Sequence, residues 1–551
     1  MGPTPPMEGT ISTPSLARST ASMSIATTLS RVTGFARDWA MAVAMGATLL
    51  TSAYTVSNNV PNMVYELVAG GVLSAVFVPI FIERLQNDGE EAAWRFASSV
   101  LTLAVIALGV IAVAGTVWAE AFVRTQTFGV PPQQVEAFVA KGAFLFRFFA
   151  VQIVFYAVGA VVTGILNARR RFLAPAVAPI FNNLVLIAVI LGVYLPLHTT
   201  RPHLAETLLA IGTTAGVVVM LVVQVPSLAR LGVRLRPVID LKDPAMRAMG
   251  RTMLATLVYV GTNMVGVSLR NAYSLRGAPG AVGPAIVRYA WMFYQLPYGI
   301  FAVALATAFL PELASAAGAR DMTTFKRRFA TGLGATGVLM LPMAAMLVAL
   351  ARPLVMLLHA GRFTTSDVGS VSAVLTCWAF GLFSFAAYMF TLRAFYALQD
   401  TRTPMATNVF ATSLQVGLYA VLTVGVGAWK GVGLRGIALA DAAAYTLHFG
   451  VLWLLLRRKL GPMGGRTVGS SLLRVLACSL VGGAAAWGVS AAAGGFVSGL
   501  RLGFLAQLVP AGVVGLSLTY ALAHAMRVPE VAEAGRLARR VFSRLLPGGV
   551  S

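Results

Sequence analysis

Long uncharged apolar runs separated by short polar stretches recur along the whole chain. A helix needs about 20 residues to cross the hydrocarbon core of a bilayer. Against that length the runs predict fourteen spanning helices, centred near Ala40, Val68, Ala107, Val151, Ile187, Val217, Tyr259, Ile300, Leu341, Gly381, Gln415, Ala443, Leu480 and Val513. The fold class expected is an all-α polytopic membrane protein with short connections and no inserted soluble domain. Pro61, Pro79, Pro297 and Pro311 interrupt their runs, as prolines do where a membrane helix kinks beside a cavity.

A faint internal echo suggests two lobes. Asn58–Asn62 followed by Phe77-Val78-Pro79 is answered by Leu296-Pro297-Tyr298-Gly299 and then Phe309-Leu310-Pro311-Glu312. Transporters built from repeats hold their site between the halves. The expected division is a disordered tail (1–21), a first six-helix lobe (22–231) and a second (232–460) around a central cavity. Two further helices (461–527) and a basic tail (528–551) complete the chain.

Composition agrees with this class: 58% of 551 residues are apolar and 11% charged, against about 25% charged in globular proteins. Cys377 and Cys478 both lie in apolar runs and read as small hydrophobes. The N-terminus is rich in Pro, Ser and Thr and lacks the short apolar core of a signal peptide. A net charge of +23 would suggest nucleic acid in a soluble protein. Here its distribution says otherwise. Of 42 basic residues, 25 fall on the termini and alternate loops that share their side, and 7 on the opposite loops. This is the positive-inside pattern, with both termini cytoplasmic and no nucleic-acid partner.

The other ten basic residues lie within or at the edges of spans. Lys141, Arg251, Arg352 and Arg474 sit near helix ends, where long side chains snorkel to the surface. Arg31, Arg37, Arg270, Arg288 and Arg393 are the cavity candidates. Arg147 is the tenth and is assigned to neither group. Acids in comparable positions are few (Asp38, Glu66, Glu83, Glu312, Asp441). A cavity lined this way is cationic and favours an anionic cargo such as a phosphate or pyrophosphate head group.

Charge concentrates in Ser30-Arg31-Val32-Thr33-Gly34-Phe35-Ala36-Arg37-Asp38, inside an otherwise uncharged run from Met23 to Leu50. On a helix Arg31 and Asp38 lie nearly in line, with Arg37 about 120° round from Arg31. Both arginines can face a wide wet cavity; alternatively Arg31 snorkels and Arg37 pairs with a neighbouring helix. Catalysis has no visible apparatus. The five histidines are scattered without metal-ligand spacing, and there is no Walker A motif. The chain reads as a transporter without catalytic residues, metal or cofactor.

Several motifs, in order, resemble the MurJ/MviN family of lipid II flippases. They include Ser30-Arg31 with Gly34, Arg37-Asp38 and Gly46-Ala47; Val60-Pro61-Asn62, then Gly70-Gly71 and Ala75 to Ile80; and Gly164 to Arg169 with Arg171-Phe172, Pro175, Pro179 and Asn182-Asn183. Leu296-Pro297 with Gly299, Leu310-Pro311, Gly361 with Phe363, and Phe395 to Pro404 complete the series. The resemblance covers about the first 410 residues and implies membership of the multidrug and oligosaccharide-lipid exporter superfamily. It further implies two lobes opening a central cavity alternately to each side. The implied cargo is lipid II, an undecaprenyl-pyrophosphate-linked peptidoglycan precursor, moved from the inner to the outer leaflet of the bacterial cytoplasmic membrane. Implied partners are membrane lipids and cell-wall synthesis proteins. Carried onto this sequence, the site residues are Ser30, Arg31, Gly34, Arg37, Asp38 and Asn62, with Arg270, Arg288 and Arg393 added from the charge reading.

The chain departs from the family pattern. Tyr65-Glu66 stands where many members carry an arginine pair, and Met292 and Gln295 replace the usual Arg and Glu before Pro297. Ser52 replaces a common aspartate. These departures resemble actinobacterial-type members. Arg288, one turn before Met292 on the same face, is positioned to replace the missing charge, with Arg270 second. Alternative readings are an exporter of another lipid-linked oligosaccharide, a drug antiporter and a non-transporting cell-wall assembly scaffold. A drug antiporter would want cavity carboxylates, against which the arginine excess argues.

Overall fold

A computed structural model describes residues 13–66, 77–128, 132–233, 235–240, 242–496 and 503–531; side chains of 13–24, 64–66, 132, 248–260, 466–467 and 495–496 are excluded. Among the described residues, fourteen long helical units follow the apolar runs. They are α1 (Thr13–Met45), α2 (Leu49–Glu66, with a further stretch Val78–Asn87), α3 (Gly89–Val117), α4 (Gln133–Ala168), α5 (Leu173–Leu197), α6 (Pro202–Ala229) and α7 (Pro244–Arg276). Then come α8 (Gly283–Gly318), α9 (Met322–Leu358), α10 (Thr365–Ala379 and Leu382–Ala397), α11 (Arg402–Val424), α12 (Leu434–Leu460), α13 (Gly465–Phe496) and α14 (Gly503–Ala525). Among the described residues, ten of these are long and apolar enough to span a membrane, or eleven with the two halves of α10, which meet at 50°. The expected centre at Val68, and the motif from Gly70 to Val76, lie outside the described residues. Among the described residues the only β pairing is an isolated bridge, Val426 with Trp429.

The expectation of a disordered tail through Ala21 needs correction, because α1 begins at Thr13. Pro14 suits the first turn of a helix, where its missing N–H is not needed, and no further proline occurs before Pro61. Local chemistry fixes other helix starts. The Asp243 carboxylate accepts from Ala245 N (2.9 Å) ahead of Pro244 in α7. Thr364 and Asp367 cap α10 reciprocally. Proline disrupts α8 as expected: after Pro297 the chain runs as π-helix over Tyr298–Ala302 before Pro311.

α1 packs along α5, α2 along α4, and α3 along α4, making the first lobe; α9 to α12 pack on one another with α7 and α8 in the second. α13 and α14 pair tightly and lie against α9. The connection between lobes is fastened to the first lobe. Arg236 N donates to Ser98 Oγ (3.1 Å), Val238 N to Thr102 Oγ1 (3.3 Å), and Arg84 pairs with Asp243 (2.5 Å). The lobes meet where α1 and α2 cross α8, and the contacts thicken at the end of the bundle away from the N-terminus. There Tyr289 donates to Gly46 O (3.3 Å) and Ala285 N to Ser52 Oγ (3.3 Å).

Candidate functional site: a cationic seam between the lobes

The seam is built on α1. Asp38 is buried at 8% exposure and accepts three hydrogen bonds on one oxygen. Arg37 donates from Nε (3.2 Å) and Nη2 (3.1 Å), and Arg288 of α8 from Nη2 (2.7 Å). The Arg288 guanidinium also stands over the Tyr54 ring, 5.9 Å from its centroid. Arg37 turns its other nitrogen to Asn183 Oδ1 on α5 (3.1 Å). Asn183 in turn donates to Ser30 O (3.3 Å) and Thr33 Oγ1 (3.1 Å). Gly34 faces this amide, its Cβ position 3.6 Å from Asn183 Nδ2. Ser30, Gly34, Arg37, Asp38 and Arg288 therefore form one cluster joining both lobes. Two guanidinium groups share a single carboxylate, so one positive charge stays uncompensated.

A second basic group lies about 9 Å of helix rise nearer the N-terminal end of α1. Arg31 is exposed and rests against Gly299, whose Cβ position is 3.6 Å from the Arg31 Cζ. Arg393 of α10 donates to Thr307 Oγ1 of α8 (3.2 Å). Tyr298, in the π-helical turn, interacts electrostatically with both arginines. Among the described residues neither Arg31 nor Arg393 has a carboxylate at ion-pair distance. Arginine forks from both lobes thus meet on the broken part of α8, arranged to take an anion from solvent.

Two expected site residues lie elsewhere. Asn62 accepts from the Tyr156 hydroxyl (2.9 Å), a bond between α2 and α4 inside the first lobe. Arg270 faces Asp441, Tyr419 and Tyr445 within the second lobe. Asp441, 0% exposed, accepts there from Trp378 Nε1 (2.9 Å), Gln415 Nε2 (2.5 Å) and the Tyr419 hydroxyl. Asn183, Tyr54, Tyr298 and Thr307 were missed as site residues. Asn183 alone carried a signal, through the motif Pro179-X-X-Asn182-Asn183.

This seam of arginines around a broken helix is the context for likeness to known proteins. A family model described as lipid II flippase MurJ matches residues 41–509. The chain belongs to the MurJ lipid II flippase family. Lipid II flippase MurJ of Burkholderia cenocepacia is 29% identical over 443 residues, covering 79% of this chain and 82% of the relative. A probable lipid II flippase MurJ of Vibrio cholerae is 27% identical, covering 78% and 81%. In architecture the chain is similar to a lipid II flippase MurJ in an inward closed conformation, with a TM-score of 0.73 at 21% identity, covering 92% of this chain and 99% of that one. It is also similar to an inward-facing multidrug resistance MATE transporter of the MOP superfamily, with a TM-score of 0.65 at 16% identity, covering 81% and 98%. The family expected from the motifs is therefore the right one, and the chain is a multi-pass membrane protein of a transporter family.

Proposed function

We propose that this chain is a lipid II flippase of the bacterial cytoplasmic membrane, carrying the lipid-linked precursor from the inner to the outer leaflet by alternating access. The family assignment supports the cargo. The positive-inside distribution supports cytoplasmic termini and makes the end carrying Gly46 and Ala285 the outer one. The lobes are then joined on the outside, leaving the Arg31 end of the seam as the approach from the cytoplasm. The pyrophosphate meets Arg31 and Arg393 first, because no carboxylate competes there. Deeper in the seam it competes with Asp38 for Arg37 and Arg288, where low dielectric strengthens each charge-assisted hydrogen bond. Asp38 acts as a resident anion that holds the two arginines in place while the seam is empty.

The observation that carries this reading is the 2.7 Å bond from Arg288 to Asp38. It puts a second-lobe arginine beside the first-helix pair although Met292 and Gln295 stand where the family carries charge. Complementation tests it: a bacterium depleted of its own flippase receives wild type, Arg31→Ala, Arg37→Ala or Arg288→Ala at matched membrane levels. Rescue by wild type alone supports the proposal. Rescue by Arg288→Ala while Arg31→Ala fails would remove Arg288 from the site, and no rescue by well-expressed wild type would contradict the cargo.

A further inference from the structure

Two turns at the end of the bundle away from the N-terminus fit together through glycine. Gly46 links α1 to α2 with φ +63°, and Gly361 sits between α9 and α10 with φ +57°, both in the left-handed region that side chains with a Cβ avoid. Each faces the other turn's backbone. A Cβ on Gly46 would lie 2.5 Å from Arg362 O, and one on Gly361 would lie closer still to Val43 O. Between them Arg362 N donates to Val43 O (2.9 Å), a backbone hydrogen bond from one lobe to the other. Neighbouring groups complete the closure. Trp39 Nε1 donates to Leu357 O (3.0 Å), the Arg362 side chain reaches Tyr194 of α5, and Phe363 packs edge-on against Tyr289 at 5.4 Å. Ser52, fully buried, holds the first turn of α8 through Ala285 N.

We infer that Gly46 and Gly361 form a reciprocal backbone clasp sealing one end of the transporter, and that this clasp must part for cargo to leave there. The inference rests on the flippase reading for its second half only. Neither glycine touches the cationic seam, and each fails on steric grounds with any larger residue.

The test uses the full-length chain with Cys377→Ala, and Ser52→Cys as reporter of the seal. Native Cys478, buried in α13 at 2% exposure, reports unfolding. Maleimide labelling of purified protein in detergent is compared among the parent, Gly46→Ala, Gly361→Ala and the control Gly369→Ala, a helical glycine with open space at its Cβ position. The expected result is a rise of about tenfold in Ser52→Cys labelling for the two clasp variants, with Cys478 and the control unchanged. Unchanged reporter labelling overturns the proposal. So does a rise shared equally by Cys478, because the glycines then hold the fold and not the seal. A second variant, Val43→Cys with Arg362→Cys, crosslinks the clasp. Its reduced form is expected to rescue a flippase-depleted cell and its oxidised form to fail, with recovery on adding reductant. Rescue by both forms overturns the requirement for parting. Rescue by neither reduced variant nor parent would contradict the flippase reading while leaving the labelling result standing.

Discussion

Among the described residues two aspartates are buried beside arginine, and the contrast between them separates transport from architecture. Asp38 lies between lobes. Its partners Arg37 and Arg288 come from α1 and α8 and keep side-chain exposures of 25% and 18%. Asp441 lies inside one lobe at 0% exposure, ringed by donors from α10 and α11 and faced by Arg270 of α7. A charged group within a rigid body has fixed partners, and its loss is felt as instability. A charged group in a seam between moving bodies exchanges partners, and its loss is felt as failed binding. Which carboxylate an arginine meets therefore matters less than whether its neighbours move relative to one another.

The largest expected effect falls on the sealed cluster. Asp441→Ala strands the Trp378, Gln415 and Tyr419 donors together with Arg270, and should cost about 3–5 kcal/mol, read from thermal unfolding in detergent. The flipping rate per folded molecule should hardly change. Arg31→Ala should do the opposite. The side chain is exposed, so stability should stay within about 0.5 kcal/mol, while lipid II flipping in proteoliposomes falls about 10- to 100-fold through loss of charge-assisted bonds worth about 1.5–3 kcal/mol. Arg288→Lys is milder. It keeps the charge but loses the planar fork, and flipping should fall about tenfold with a smaller loss for Lys than for Ala. Asn62→Ala, removing only the bond from Tyr156, should cost about 1 kcal/mol of stability and leave complementation intact at matched levels. If instead it abolished rescue without destabilising the fold, Asn62 would belong to the seam after all.

The fold was legible because an uncharged run of spanning length has few other uses, and every such run became a helix where it is described. The first-helix charges were equally legible, since Arg31, Arg37 and Asp38 stand alone in apolar sequence. Arg288 was found from its spacing to Met292. What the sequence could not separate was seam from lobe interior. Arg270 and Arg288 look alike as single arginines in apolar runs, and only packing shows that one faces Asp441 and the other Asp38. Asn62 shows the same gap: its Pro-Asn motif gives no direction, and only packing shows that it accepts from Tyr156 inside the first lobe. Neutral partners such as Tyr54 and Thr307 are invisible among ordinary polar residues until the helices are assembled. The role of Gly46 and Gly361 depends on two turns over 300 residues apart in the chain, which no local pattern relates.

The most direct test of the account is binding of lipid II to purified wild type, Arg288→Gln and Arg270→Gln, each normalised to its folded fraction. The account predicts at least about tenfold weaker binding for Arg288→Gln, the loss of one charge-assisted bond, and near wild-type binding for Arg270→Gln despite its lower unfolding temperature. Equal binding by all three, or weaker binding by Arg270→Gln alone, would contradict the claim that the seam between the lobes holds the anionic head group.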